Sequence, residues 1–203
     1  MRRAIVAVTL VLALGAMAAC GSARPSKYYQ LELPAAPTPA GAANPYPVAL
    51  LVGRLSAPHL FRDDRLVYRT GPTQLGTYEY HRWAEPPTEM VEAMLLRLLR
   101  DSGRYRTVQA LRSSARGDYI LRGRLHDFEE VANGQIVARV AFEIELYELK
   151  EGTTVWSQSY SHDEPVNGKE VAAVVEGLDR NVQRGLGQIL AGLDQYFSTH
   201  PPK

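Results

Sequence analysis

The sequence predicts an α+β domain: a largely antiparallel or mixed sheet with two main helices packed on it. Three patterns predict it. Asn133-Gly134 separates two long runs, 118–132 and 135–149. In the second run Ile136, Ala138, Val140, Phe142, Ile144 and Leu146 point one way, while Arg139, Glu143, Glu145 and Tyr147 point the other. That is an antiparallel strand with one wet face, and Asn-Gly fits a type I′ hairpin turn. Near the C-terminus Val171, Val174, Val175, Leu178, Val182, Leu186, Ile189, Leu190, Leu193 and Phe197 recur at steps of three and four, the stripe of a long helix lying across a sheet. A shorter stripe, Val91, Met94, Leu95, Leu98 and Leu99, marks a helix from Pro86-Pro87 to about Ser102, with Gly103 as its stop.

The chain opens on Arg2 and Arg3, an apolar run from Ala4 to Leu14, and the small-residue segment Gly15-Ala16-Met17-Ala18-Ala19 ahead of Cys20. This is the layout of a secretory signal peptide, and with a cysteine at its end it resembles a bacterial lipoprotein signal. The expectation is a signal over 1–19 and a lipid carried covalently by Cys20, with no other cofactor. Residues 4–23 carry no charge and are just long enough for an uncleaved anchor, the alternative. Their Ala/Gly-rich end and the single cysteine of the chain at the boundary favour the lipoprotein. Without the first 19 residues, 184 remain, enough for one domain with a core. Without Arg2 and Arg3 the basic and acidic residues number 21 and 22, a formal charge of −1. Such a chain has no overall electrostatic pull toward nucleic acid or anionic lipid.

Residues 20–47 are expected to hold the lipidated terminus, a short polar tether, a first strand over 28–33 and a linker. The strand follows from the alternation in Tyr28-Tyr29-Gln30-Leu31-Glu32-Leu33. The linker, 34–47, has five prolines and five alanines; disorder of the whole of 21–47 is the competing reading. The globular domain then covers 48–200. Residues 48–55 are apolar on both faces, as in a strand covered on both sides. A loop over 56–64 presents His59, Leu60 and Phe61, and a hairpin follows: 65–70, a turn from Gly71-Pro72 to Gly76, then 77–83. In its second arm Tyr78, Tyr80 and Arg82 share one face, with Glu79, His81 and Trp83 on the other. Residues 105–111 form a short strand. Lys150 to Gly152 turns the chain into a strand over 153–160, completing a three-strand meander.

No catalytic constellation is apparent. Five histidines are scattered without metal-ligand spacing, and neither a phosphate-cradling Gly-rich loop nor a Gly-x-Ser-x-Gly turn occurs. Glu143 and Glu145 share a strand face and form a conceivable carboxylate pair, but a wet strand face is commonly charged. The expectation is a protein that is not an enzyme and binds no metal. Charge segregates along the chain: eight arginines over 97–124 oppose Asp101 and Asp118, whereas twelve acids over 127–179 oppose Arg139, Lys150 and Lys169. Ordinary solvated faces explain this, as does a basic surface meeting lipid headgroups or an acidic partner. A third reading joins basic and acidic faces of successive copies into a homo-oligomeric ring.

The run of Pro58, Leu66-Val67-Tyr68-Arg69, Tyr78-Glu79-Tyr80 and Arg82-Trp83-Ala84-Glu85-Pro86-Pro87 resembles the bacterial ABC-type transport auxiliary lipoproteins, the family of paraquat-inducible protein C. Tyr28-Tyr29-Gln30-Leu31, just after the cysteine, is similar to that family's start. The resemblance implies a domain similar to the N-terminal domain of TolB. It also implies work beside an ABC permease, its ATPase and a mammalian-cell-entry (MCE) domain protein, for lipid transport between membranes. Gly21-Ser22 after the cysteine implies sorting to the outer membrane, periplasmic face. The long Pro/Ala linker departs from the pattern. For contact with the partner, Leu60, Phe61, Tyr78, Tyr80, Arg82 and Trp83 are the expected residues, because aromatic and arginine side chains dominate interfaces; the alternative is that Trp83 and the tyrosines cover the core beneath helix 87–102. A structural envelope lipoprotein with no transporter partner is the second functional reading, and an enzyme using Glu143 a remoter one.

Overall fold

A computed structural model describes residues 24–32, 46–111, 114 and 116–202. The signal over 1–19, Cys20 and all of the linker over 34–47 but its last two residues, which open β2, lie outside the described residues. The strands are β1 (Lys27–Tyr29), β2 (Tyr46–Ser56), β3 (Arg65–Gly71), β4 (Gln74–Trp83), β5 (Tyr105–Ala110), β6 (Tyr119–Asn133), β7 (Gln135–Glu148) and β8 (Thr153–Pro165). The helices are α1 (Pro87–Asp101) and α2 (Val171–Thr199), with a 3-10 turn at His59–Arg62. Among the described residues the eight strands form one mixed sheet, so the α+β reading holds.

Strand β6 is the spine. One side pairs antiparallel with β7 along its length, and β8 continues that meander. The other side takes two partners in turn, both parallel: β2 along 119–124, and β3 at Glu130 and Val131. A bulge divides the two halves, because Leu125 faces Phe142 and Asp127 faces Ala141, leaving His126 as the extra residue. The insertion reverses the alternation. Leu121 and Leu125 are buried before it, Phe128 after it.

Both helices pack on one face of the sheet, where they touch each other and share a single apolar core. The predicted β7 face, from Ala138 to Leu146, is buried beneath α2, whose Val174, Leu178, Val182, Leu186, Ile189, Leu193 and Phe197 are also buried. At 29 residues α2 spans about 43 Å. A polar residue interrupts its stripe. Asn181 is fully buried; its Oδ1 accepts from the Tyr160 hydroxyl at 2.6 Å, and its Nδ2 donates to the carbonyls of Ala138 and His162 at 2.9 and 2.8 Å. It ties the helix to β7 and β8.

Local signals locate the other elements with adjustments. Pro87 opens α1 as expected, with the amides of Glu89 and Met90 donating to the Pro86 carbonyl. Gly103, at φ +64°, carries the chain out of the helix. Strand β2 is covered on both sides: Leu50 and Val52 face the helices, and Leu51 sits beneath the segment at Gly117. The β6–β7 turn lies at Asn133-Gly134, but it is not type I′. Only Gly134 has positive φ, +91°, whereas type I′ needs it at both central residues. The β3 and β4 strands extend into their expected turn, so that Gly71 pairs with Gln74 across Pro72-Thr73. The first strand is shorter than expected, ending at Tyr29, and it pairs parallel with β4.

Candidate functional site at the N-terminal edge

Strand β1 brings the chain onto the free edge of β4, with Lys27 opposite His81, Tyr28 opposite Arg82 and Tyr29 opposite Trp83. The Ala84 amide donates to the Tyr29 carbonyl at 2.7 Å, and the Glu32 amide donates to Asp179 Oδ1 at 2.9 Å, fastening the segment to α2. Leu31 is buried in the core. The segment is therefore docked at both its strand and its turn toward the helix, against the reading of disorder for this part of 21–47.

An aromatic cluster lies behind the docked strand. The Tyr29 hydroxyl and His81 Nδ1 are 2.8 Å apart, and their rings stack at 5.7 Å between centroids. Tyr78 meets His81 edge-on at 5.5 Å and Tyr68 at 5.0 Å, while its hydroxyl donates to Glu130 Oε2 at 2.6 Å. Burial and the Glu130 carboxylate push the Tyr78 hydroxyl well above the ordinary phenol range. Burial, with Lys27 and Arg24 nearby, lowers His81. A bulge explains how Tyr78 and His81 meet: β4 advances from Thr77 to Arg82 while β3 goes only from Val67 to Arg65. The strict alternation expected along 77–83 fails for this reason.

The six expected contact residues separate accordingly. Phe61 and Trp83 are 3% and 1% exposed, a correction of the sequence reading. The 3-10 turn folds Phe61 inward, and Trp83 packs on Phe128 at 5.3 Å between ring centroids. Leu60 is half-buried against the core, and Tyr78 is held by Glu130. Tyr80 and Arg82 remain on the surface, partly exposed. Arg82 Nη1 donates to both carboxylate oxygens of Asp64 at 2.7 and 3.0 Å. Arg24 lies over the Tyr80 ring, 5.6 Å from its centroid. Cys20 lies outside the described residues.

Much of the segregated charge is paired within the chain, among the described residues. Arg104 meets Asp194 at 2.6 Å, Arg106 meets Asp118 at 3.1 Å, and Arg122 meets Glu145 at 3.0 Å while stacking over Tyr147. Arg139 meets Asp163 at 2.7 Å, and Arg184 meets Glu164 at 2.7 Å. Glu143 stands opposite Arg124 in the β6–β7 register. Glu143 and Glu145 thus belong to a lattice of arginines and carboxylates on the wet face. Among the described residues no group of three or more His, Cys, Asp or Glu side chains converges as a metal site.

One carboxylate stands apart. Glu129 is fully buried; Arg69 Nε donates to its Oε1 at 2.5 Å, and its Oε2 has no hydrogen-bond partner among the described residues. Burial raises its carboxyl, and Arg69 draws it part of the way back. The folded state therefore holds the Glu129 proton more tightly than the unfolded chain does. Its contribution to stability is full below the ordinary glutamate range and declines as pH rises through the raised value. Glu129→Gln removes that decline. Urea titrations between pH 4 and 8 are expected to show the variant gaining on the parent as pH rises; a difference independent of pH contradicts this.

Residues 29–190 match the profile of the family described as ABC-type transport auxiliary lipoprotein component. No curated protein matches the chain. Among solved structures, a DUF330-family protein from Xanthomonas campestris is 24% identical, covering 86% of this chain and 98% of its own, at a TM-score of 0.75. An uncharacterized protein is 15% identical over 82% of this chain and 97% of its own, at 0.62. A neuraminyllactose-binding hemagglutinin homolog from Helicobacter pylori is 9% identical over 85% of this chain and 96% of its own, at 0.51. At these identities the structures speak for the fold.

Proposed function

The chain belongs to the ABC-type transport auxiliary lipoprotein components, and on that premise we propose that it serves an MCE-type lipid transport system from the periplasmic face of the outer membrane. The observation that carries the reading is the family match over 29–190, which begins at the last residue of the docked N-terminal strand and covers nearly all of the fold. The lipid is carried by Cys20, and Gly21-Ser22 favours the outer membrane. The partners are an MCE-domain protein with its ABC permease and ATPase.

The family is one of transporter auxiliaries rather than enzymes, so the contribution is binding and position. Tethering supports such a role physically: two modules on one surface meet at roughly millimolar effective concentration, so a weak contact suffices. The test is cross-linking in intact cells, followed by purification of this chain and quantitative mass spectrometry for the permease, ATPase and MCE-domain protein. All three are expected to be enriched with the parent chain and to be lost with Cys20→Ala. A membrane-anchored chain that enriches none of them contradicts the transport reading and favours a structural envelope role.

A further inference from the structure

The N-terminal edge has an outer face that the helices do not cover. Across β3, β4 and β1 the register places Arg65 beside Arg82 and Arg82 beside Tyr28. The next positions on β4 and β1, Trp83 and Tyr29, turn toward the core, so the row points away from it. Tyr28 is 65% exposed. Tyr80 stands two residues before Arg82 on the same strand, with Arg24 over its ring. Arg24 makes no ion pair among the described residues, and Arg65 is exposed. The acids nearby are Asp64, held by Arg82, together with Asp63 and Glu79.

This patch lies where the chain leaves for its anchor. Only Gly21, Ser22 and Ala23 separate Arg24 from Cys20, a reach of at most about 14 Å when fully extended. A lipid on Cys20 sits in the membrane surface, so Arg24 and the ring beneath it cannot be far from that surface. Tyrosine suits the headgroup level, where its ring is sheltered and its hydroxyl wet. Arginine matches phosphate with a rigid fork of donors.

From this geometry we propose that the row Arg65–Arg82–Tyr28, with Tyr80 and Arg24, rests on the anionic phospholipid headgroups of the membrane that carries the anchor. The proposal rests on lipidation of Cys20. It gives Tyr80 and Arg82, expected from the sequence to meet a protein, a lipid surface instead. It also orients the domain: the face of the sheet that carries both helices points away. Ala191 is exposed on α2, on the side opposite the buried Val182, Leu186, Ile189 and Leu193. A helix about 10 Å across therefore stands between Ala191 and the sheet.

The test uses the full-length acylated protein in nanodiscs of phosphatidylethanolamine with phosphatidylglycerol. Acylated Cys20 cannot react with a thiol reagent, so one nitroxide is placed through Gln30→Cys, beside the row, or through Ala191→Cys, on the outer side of α2. Nickel-chelating lipid should strongly relax the label at position 30 and leave the label at 191 nearly unaffected. Arg24→Glu with Arg65→Glu, or removal of the phosphatidylglycerol, should abolish the difference while the protein stays embedded. Equal relaxation at the two positions in an embedded, acylated protein overturns the orientation, as does stronger relaxation at 191. Proximity that survives charge reversal and loss of the anionic lipid overturns the headgroup contact. A chain that is unmodified at Cys20 and fails to embed overturns the lipidation reading, and the orientation falls with it; its mass distinguishes this result from the others.

Discussion

Replacing Asn181 by leucine is expected to destabilise the domain by about 2–4 kcal/mol, because it removes a hydrogen-bonded clamp from the interior. Leucine fits the stripe of α2 in size and polarity, and a pattern-based reading of the helix would favour it. The structure argues otherwise. Asn181 has no solvent exposure, and it serves the Tyr160 hydroxyl and the carbonyls of Ala138 and His162 together. Leucine leaves those groups facing methyl groups in a region that water does not reach. Asn181→Asp keeps an acceptor for Tyr160 but sets carboxylate oxygens against two carbonyls, and is expected to be no better. Urea unfolding of the mature chain, made with Cys20→Ala so that no lipid interferes, measures both. A loss under about 0.5 kcal/mol for leucine would show that the clamp contributes little.

Cys20→Ala has the opposite profile: full loss of membrane association and of function, with no change in fold. Among the described residues, contacts begin at Arg24 and Lys27, and the core begins at Leu31. Circular dichroism and the unfolding midpoint should therefore match the parent. Fractionation should move the protein from the membrane to the soluble fraction, and the lipid transport proposed above should fall to the level of a strain lacking the gene. Burial of an acyl chain gains about 0.8 kcal/mol per CH₂, so more than one chain holds the protein stably and no surface contact replaces them. A variant that loses activity while still anchored, or that unfolds, contradicts the assignment of a purely positional role to this residue.

The elements that could be read from the sequence are those whose signals are local. The alternation from Ile136 to Leu146, the proline at the start of α1 and the stripe from Val171 to Phe197 each sit within one element, and each is found where expected. The parallel pairings are different. Nothing near Lys27 specifies His81 as its neighbour, and nothing near Leu50 specifies Tyr119; these contacts follow from how the whole core closes. Bulges are similarly hidden. His126 looks like any other strand residue, yet it reverses the face presented by the rest of β6. The contact residues were read in part for the same reason. Trp83 and Phe61 carry the composition of an interface, and composition cannot distinguish an aromatic ring on a surface from one turned inward by a bulge or a 3-10 turn. Asn181 did leave a signal, a polar residue between Leu178 and Val182 on the apolar stripe.

A lipid at Cys20 underlies both the proposed function and the proposed orientation, and its most direct measurement is the intact mass of the chain isolated from membranes. The predicted result is a mature protein whose first residue is Cys20, heavier than its 184 residues by a diacylglyceryl group and an N-terminal acyl chain, with the added mass lost in Cys20→Ala. A chain that retains Met1–Ala19, or one that begins at residue 20 with an unmodified thiol, would contradict it.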